Sequence, residues 1–414
     1  MSNPAQADSN QPANENERQF DITATEEAPA PSASRLKVLF VPAWYPTEQH
    51  KFWGAFCREH AHAAALYEDV AVLSFSSRSQ RWPTMRWTET DDQGVPTFYA
   101  TYGHSPIPKT TLPFFLLHLR RALQCVIRKW GRPDIIHTQD TRAYYVMKAV
   151  EHLQIPVVIS QHWTGFMTRS ITPTFLRHFE YAFKHAARVL PDNKYADVLY
   201  RQYGLTARVT WLPNTIATDI FWATPDAPRE PWLLHASGFT SQKRFPDIIR
   251  AFARVRRGRP AAVLQIVGEG SNRLECEEFA RRELPAGSFH FHGYLQKTQL
   301  AELMRQASGF VLPSEAENLP NVLIEAIACG CPVLTTRVGG ITALVAEDEG
   351  ILVDVGNLDQ ITDGMCRLLD ETHGFDMDRK SREVRAQYSH EAVGRILHEE
   401  YQKAVTEAPG PRPV

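Results

Sequence analysis

The densest concentration of groups able to do chemistry in these 414 residues is Ser314-Glu315-Ala316-Glu317-Asn318-Leu319-Pro320-Asn321-Val322-Leu323-Ile324-Glu325-Ala326, followed by Cys329-Gly330-Cys331-Pro332-Val333-Leu334. The pattern reads strand, loop, helix, tight turn, strand. Pro320 suits the first helical turn, where its missing N–H costs nothing. The amides of Asn321 and Val322 then face the loop without intrahelical partners, and the helix dipole adds partial positive charge, which makes a phosphate site. Glu317 stands in the loop before that site and Glu325 about one and a half turns into the helix. Carboxylates on both sides of a phosphate suit a ligand with hydroxyls beside its phosphates, such as a sugar nucleotide.

Such a loop needs parallel strands to hold it, and the chain supplies two series of them. In the first, Leu36 to Val41, Val70 to Phe75, Ile135-Ile136-His137, Val157-Val158-Ile159 and Val209 to Leu212 read as strands, with helices near 55–67, 112–130, 141–153 and 172–187. After the Pro-rich linker Pro225-Asp226-Ala227-Pro228 come Trp232 to Ala236, Ala262 to Val267, Ser288 to Phe291, Gly309 to Leu312, Pro332 to Thr335 and Gly350 to Val353, again separated by helical stretches. Short apolar runs alternating with helices predict an α/β chain of two Rossmann-like domains in tandem with a ligand cleft between them. The expected division is a disordered acidic, Pro-rich tail over 1–34, a first domain over 35–222, a second over 223–384, and a helix from 385 crossing back to the first domain before a short tail to 414.

Composition narrows the function classes. Lys+Arg 45 against Asp+Glu 47 gives a formal charge of -2, so no global basic field points to nucleic acid. Six cysteines with no C-x-x-C pair match neither a disulfide scaffold nor a zinc ribbon and imply a reducing, cytoplasmic compartment. No apolar run approaches the roughly 20 residues that span a bilayer. Asp376-Met377-Asp378 lies far from any early strand, and neither His290 with His292 nor His60 with His62 has a third ligand nearby, so no metal is expected. No G-x-G-x-x-G is present, which disfavours a dinucleotide oxidoreductase; Gly268-Glu269-Gly270 reads as a turn near the nucleotide.

The residues resemble the retaining GT-B glycosyltransferases of family 4, the group 1 glycosyl transferases of bacterial polysaccharide type. Their mark is a pair of glutamates with seven residues between them, before an A-x-G-x-P-V turn; Glu317 and Glu325 have that spacing. The resemblance extends to Val38-Leu39-Phe40-Val41-Pro42-Ala43-Trp44-Tyr45-Pro46 with Gly54 and Phe56, Asp134-Ile135-Ile136-His137, Gln161-His162-Trp163, Leu212-Pro213-Asn214, Val267-Gly268-Glu269-Gly270 and Val338-Gly339-Gly340. It implies that Glu325 holds the ribose hydroxyls of a nucleoside diphosphate-sugar donor, that Glu317 contacts the donor sugar, and that Asn318, Leu319 and Pro320 shape its pocket. Lys243 matches the family's lysine that neutralises the diphosphate leaving group. The arginine usual before it is absent, with Phe239 or Thr240 in its place, and Arg244 is the candidate substitute. Gly54 matches the loop glycine that lets backbone approach the donor phosphate, and His162 the histidine facing the reacting centre. His137 and Trp163 are expected on the acceptor side.

The resemblance implies a retaining hexosyltransferase that needs no cofactor. Its acceptor would be a carbohydrate, in such relatives often linked to a polyprenyl diphosphate. A sugar phosphorylase or synthase of the same fold, or a catalytically silent sugar-binding scaffold, fits the same residues. The stretch Pro113 to Trp130 has aromatic and basic flanks as in helices that lie on an anionic membrane, and its plainer reading is a helix packed on the first sheet.

Overall fold

The computed structural model describes residues 34–47, 53–81, 85–104, 111–224, 227–370 and 374–407. The tail before Ser34, the linker residues Pro225 and Asp226, and the residues after 407 lie outside them. In chain order the first half holds β1 (Lys37–Val41), α1 (Ala55–Ala65), β2 (Asp69–Arg81), β3 (Arg86–Asp92), β4 (Val95–His104), α2 (Thr111–Trp130), β5 (Ile135–Gln139), α3 (Ala143–Val150), β6 (Val157–Gln161), α4 (Pro173–His185), β7 (Arg188–Pro191) and α5 (Ala196–Gln202). The second half holds β8 (Glu230–Ala236), α6 (Phe245–Gly258), β9 (Val263–Val267), α7 (Arg273–Glu283), β10 (Phe289–Gly293), α8 (Lys297–Gln306), β11 (Ala307–Leu312), α9 (Asn321–Ala328), β12 (Val333–Thr336), β13 (Ile351–Val353), α10 (Leu358–Leu369), α11 (Met377–Tyr388) and α12 (His390–Thr406).

Two sheets result, ordered β3-β4-β2-β1-β5-β6-β7 and β10-β9-β8-β11-β12-β13. All pairings are parallel except the β3–β4 hairpin at the first sheet's edge. Alternation within each strand decides which layer a side chain joins. Leu39, Val41, Leu73, Ile136 and Ile159 pack under α2, α3 and α4. Val38, Phe40, Val70, Ile135 and Val158 pack on the other face, under α1 and α12. In the second sheet Leu234, Phe310 and Leu312 meet α8, α9 and α11, while Leu233, Leu264 and Val311 meet α6, α7 and α10. Sheets covered on both faces by helices are the setting in which strands become continuous apolar runs.

Three sequence expectations are corrected. Val209 to Leu212 is not a strand; Val209 makes a single bridge to Val189. The strand in that place is β7, and the β3–β4 hairpin was not foreseen. Pro320 is the residue before α9 rather than inside its first turn.

The chain returns to the first sheet at its end. Ser389 closes α11 and caps α12 through Ala392 N–H at 3.1 Å, and α12 then lies against α1. A Cβ on Gly394 would come within 2.3 Å of the Ala63 carbonyl oxygen, so the absent side chain lets the helices touch at their backbones. Arg188 of β7 pairs with Glu400 of α12 at 3.0 Å in a buried setting.

Candidate active site

Each sheet has one point where successive connections leave in opposite directions: between β1 and β5 in the first, and between β8 and β11 in the second. Loops at the carboxyl ends of such strands part and leave a crevice. In the second sheet the loop after β8 carries Lys243 and the loop after β11 carries Glu317. The two loops are tied by Glu315 N–H donating to the Gln242 carbonyl at 2.9 Å and by the Gln242 side-chain amide donating to Ala316. They bring Lys243 Nζ to 2.5 Å from Glu317 Oε1. Phe239, in the expected arginine's place, is 1% exposed and packs against the rings of Phe245 and Phe291. It anchors the loop and leaves no cation there.

Glycine at 339 and 340 is a steric requirement of the Glu317 loop. A Cβ at Gly339 would lie 1.9 Å from the Glu317 carbonyl oxygen, and one at Gly340 would lie 1.9 Å from that of Asn318. Gly268 (φ +132°) lets the turn after β9 press on Ser237, and Gly54 (φ +70°) brings the start of α1 against the Trp44 carbonyl.

Downstream of the loop, the first amides of α9 that bond to Pro320 O are those of Leu323 (3.0 Å) and Ile324 (3.4 Å). Those of Asn321 and Val322 find no acceptor among the described residues and remain available to an anion. Glu325, half-buried on the next turn, has no hydrogen-bond partner there either. Burial pushes its carboxyl up to about 7; nearby Lys297 works against that rise and Glu59 adds to it.

The first half holds this loop from across the cleft. Asn318 Nδ2 donates to the His162 carbonyl at 2.6 Å, and Asn214 Nδ2 to that of Leu319 at 2.8 Å. The His162 ring lies between Phe56 and His60, 4.4 and 5.3 Å away by centroids, with Nδ1 3.4 Å from Asp192. Burial disfavours its charged form, but Asp192 and Asp140 outweigh burial and raise its pKa. Asp140 holds the backbone here, accepting from His162 N–H at 2.6 Å and Trp163 N–H at 3.0 Å. Burial lifts its carboxyl to about 6, with His162 opposing. A second link is Glu59 of α1, held by Lys297 at 2.6 Å and His390 at 2.9 Å. Burial would raise the Glu59 pKa, but these two partners overcome it and hold the carboxyl at about 2.

Residues 217–391 match the group 1 glycosyl transferases, and residues 69–220 match glycosyltransferase family 4. The chain belongs to the group 1, family 4 glycosyltransferases. Its curated relatives include the N-acetyl-alpha-D-glucosaminyl L-malate synthase of Bacillus anthracis, 33% identical over 37% of this chain and 40% of that protein. Another is the glycogen synthase of Mycobacterium tuberculosis, 27% identical over 54% of this chain and 56% of that protein. The chain thus spans about half the length of these relatives. Among solved structures, Anabaena HepE in complex with UDP and glucose superposes with a TM-score of 0.70 at 16% identity, covering 89% of this chain and all of that one. The two-sheet architecture is therefore the GT-B fold of such glycosyltransferases.

Among the remaining residues named from the family resemblance, the structure overturns the placing of His137. His137 does not line the cleft: it is fully buried, between the Tyr401 hydroxyl and Ser160 Oγ, each at 2.6 Å, where it ties α12 to the sheet. The half-buried ring of Trp163 stacks on Phe179 with centroids 5.9 Å apart and lines a small cavity with Asp192 and Asn318. Arg244 is engaged locally with Asp247 at 2.6 Å and lies beside Gly356. Asp376 of the D-x-D caps α11, accepting from Arg379 N–H at 2.9 Å. Among the described residues no three His, Cys, Asp or Glu side chains group to hold a metal. No helix there is long and apolar enough to cross a membrane. On α2, Phe114 and Phe115 pack inward, while Leu112, Leu117, Arg120 and Arg121 are exposed. Asp140, Asp192, Glu59 and Lys297 escaped the sequence reading, because only folding brings them to the cleft.

Proposed function

We propose that this protein transfers a sugar, with retention of configuration, from a nucleoside diphosphate-sugar to a carbohydrate acceptor in glycoconjugate or polysaccharide synthesis. What supports the reading is the segment after β11, where Glu317 pairs with Lys243 of the neighbouring loop and is followed by the free amides at the start of α9 and, one turn on, the unpartnered Glu325. The amides and Lys243 supply positive charge for a diphosphate, and Glu325 supplies an acceptor for ribose hydroxyls. HepE, solved with UDP and glucose, supports a uridine nucleotide as the first donor to try.

In the step proposed, the bond from the sugar's anomeric carbon to the β-phosphate oxygen breaks and its electron pair stays on that oxygen. An acceptor hydroxyl attacks the same face, and its proton passes to the departing phosphate. Charge grows on the diphosphate as the bond breaks, so the cation at Lys243 is worth most in the transition state. Glu317, paired with Lys243, aligns that cation and faces the donor sugar. No metal or cofactor enters the scheme. A polyprenyl diphosphate-linked acceptor would bring the protein to a membrane surface, where exposed Leu112 and Leu117 beside Arg120 and Arg121 would make peripheral contact.

A thermal-shift panel of UDP-, GDP- and ADP-sugars tests the donor reading. One of them at 100 times its dissociation constant should add about 2.7 kcal/mol of stability. No stabilisation by any would refute it. Stabilisation without donor turnover in the presence of any acceptor would leave the silent scaffold.

A further inference from the structure

Three histidines of the first half lie beside the cleft: His60 of α1, His137 of β5 and His162 just after β6. The first two are fully buried, and the His162 side chain is 6% exposed. Burial strips a charged imidazole of water and should leave each ring neutral. It holds His60 down at about 3 and His137 well below its ordinary value. Their partners need no charge on the ring: His60 meets the Pro213 carbonyl at 3.1 Å, and His137 meets two hydroxyls. His162 goes the other way, because Asp192, in the loop after β7, brings Oδ2 to 3.4 Å from its Nδ1, and Asp140 holds its backbone N–H.

Asp192 is itself 4% exposed, and among the described residues no cation other than His162 lies within ion-pair distance of it. A buried carboxylate without a counter-charge is costly, so the pair is favoured as anion and cation together. The carboxylate is also held in place. The Asp192 N–H donates to the Gln161 carbonyl at 3.3 Å, and the Asp192 carbonyl accepts from Trp211 Nε1 at 3.0 Å. Of the other groups around the pair, Tyr200 of α5 keeps its phenol proton through burial, and Asn318, from the second half, is uncharged.

The partner of one imidazole nitrogen decides the state of the other. His162 Nε2 is covered and finds no partner among the described residues. A buried donor without an acceptor carries a cost that a substrate oxygen would remove. The residue stands where a sugar would meet it, since its carbonyl receives Asn318 of the Glu317 loop at 2.6 Å.

We propose that Asp192 is a positioning residue, fixing the His162 ring through Nδ1 and supplying its counter-charge, so that Nε2–H is offered to an oxygen of the sugar substrate as a charged donor. This rests on the transferase reading and deepens it. His60 and His137 then serve as neutral packing around one charged ring.

Ring C–H spectra of the full chain carrying isotope-labelled histidine, followed across pH, test it; the His162 signal is the one that His162→Gln removes. Its midpoint should lie above the ordinary 6.5 and fall below that value in Asp192→Asn, which keeps the shape without the charge. Asp192→Glu, which restores a carboxylate, should bring it back above. Turnover at saturating donor should decline as pH rises through the His162 midpoint. Asp192→Asn should move that decline to lower pH by the same interval, with about a tenfold loss on the falling limb for each unit moved. A residue that only held the loop together would lower turnover alike at every pH. A midpoint at or below 6.5 in the unmodified protein overturns the proposal, whether or not Asp192→Asn folds. So does a midpoint that this variant leaves unchanged, or a pH–rate profile that stays in place while the midpoint moves. Absence of turnover in the unmodified protein would instead count against the transferase reading, and the midpoints would still decide the role of Asp192.

Discussion

Glu325 should make donor binding depend on pH in a specific way. Burial, with Glu59 adding to it, lifts its carboxyl to about 7 against the pull of Lys297. Ribose hydroxyls are donors, so the ionised carboxylate can accept two of them, while the protonated acid must first lose its proton. A group with a pKa of about 7 is ionised to roughly 0.09 at pH 6 and roughly 0.91 at pH 8, so donor affinity should rise about tenfold between them and flatten above. UDP-glucose is the suitable probe, because its doubly esterified diphosphate does not titrate in that window. Titration calorimetry at pH 6, 7 and 8, repeated in two buffers of different ionisation enthalpy, gives both the affinity and the protons released. Close to one proton should leave on binding at pH 6 and few at pH 8. Glu325→Gln keeps the shape and removes this titration, so its affinity should be low and lack the tenfold rise. His162 also titrates above its ordinary value, but it is intact in that variant, so any slope it contributes survives there. The same tenfold rise in Glu325→Gln, or no rise in the unmodified protein, would refute the assignment of Glu325 to the ribose.

Lys243→Ala should lower the turnover number by a factor of about 100 to 1,000 and change the Michaelis constant far less, as for loss of a group that stabilises a leaving charge; a change confined to the Michaelis constant would contradict that role. Glu59→Gln should cost about 3 kcal/mol at pH 7, because the carboxyl titrates at about 2 in the folded chain against 4.5 ordinarily. That contribution is complete above pH 4.5 and fades as the pH falls through 2, so urea melts at pH 3 should show less than half of the difference. Reversible binding to anionic vesicles at low salt should be lost in the Arg120→Glu, Arg121→Glu double variant; co-sedimentation unaffected by both changes would leave α2 with packing alone.

Where a strand is buried on both faces its sequence is a nearly unbroken apolar run, and Val38 to Val41, Ile135-Ile136 and Val263 to Val267, interrupted by buried Gln265, were legible for that reason. The β3–β4 hairpin was not, since Arg86, Thr88, Glu89 and Thr90 are exposed polar residues and the turn is Gln93-Gly94. Both turn residues have positive φ, at 53° and 89°, a geometry more often marked by Asn-Gly or Asp-Gly. β7 opens on Arg188, a residue that reads as surface until α12 supplies Glu400. The second sheet's site was readable because strand, loop and helix carry it within one short segment. The first half's site was not, because its logic is long-range. His137 is satisfied by a hydroxyl 264 positions away, which no local pattern announces. Arg142 looks like an ordinary polar helix start until Phe75, Ala43 and Phe115 close around it.

Sugar transfer from the Lys243–Glu317 crevice can be watched by following the donor by proton NMR while the protein acts on it. The donor is whichever nucleotide sugar stabilises the protein. The nucleoside diphosphate should be released together with a first-formed sugar product of the donor's own anomeric configuration, and both signals should be lost with Lys243→Ala. A product of inverted configuration would contradict retention. A donor that binds yet stays intact, with every acceptor tried, would contradict transfer itself.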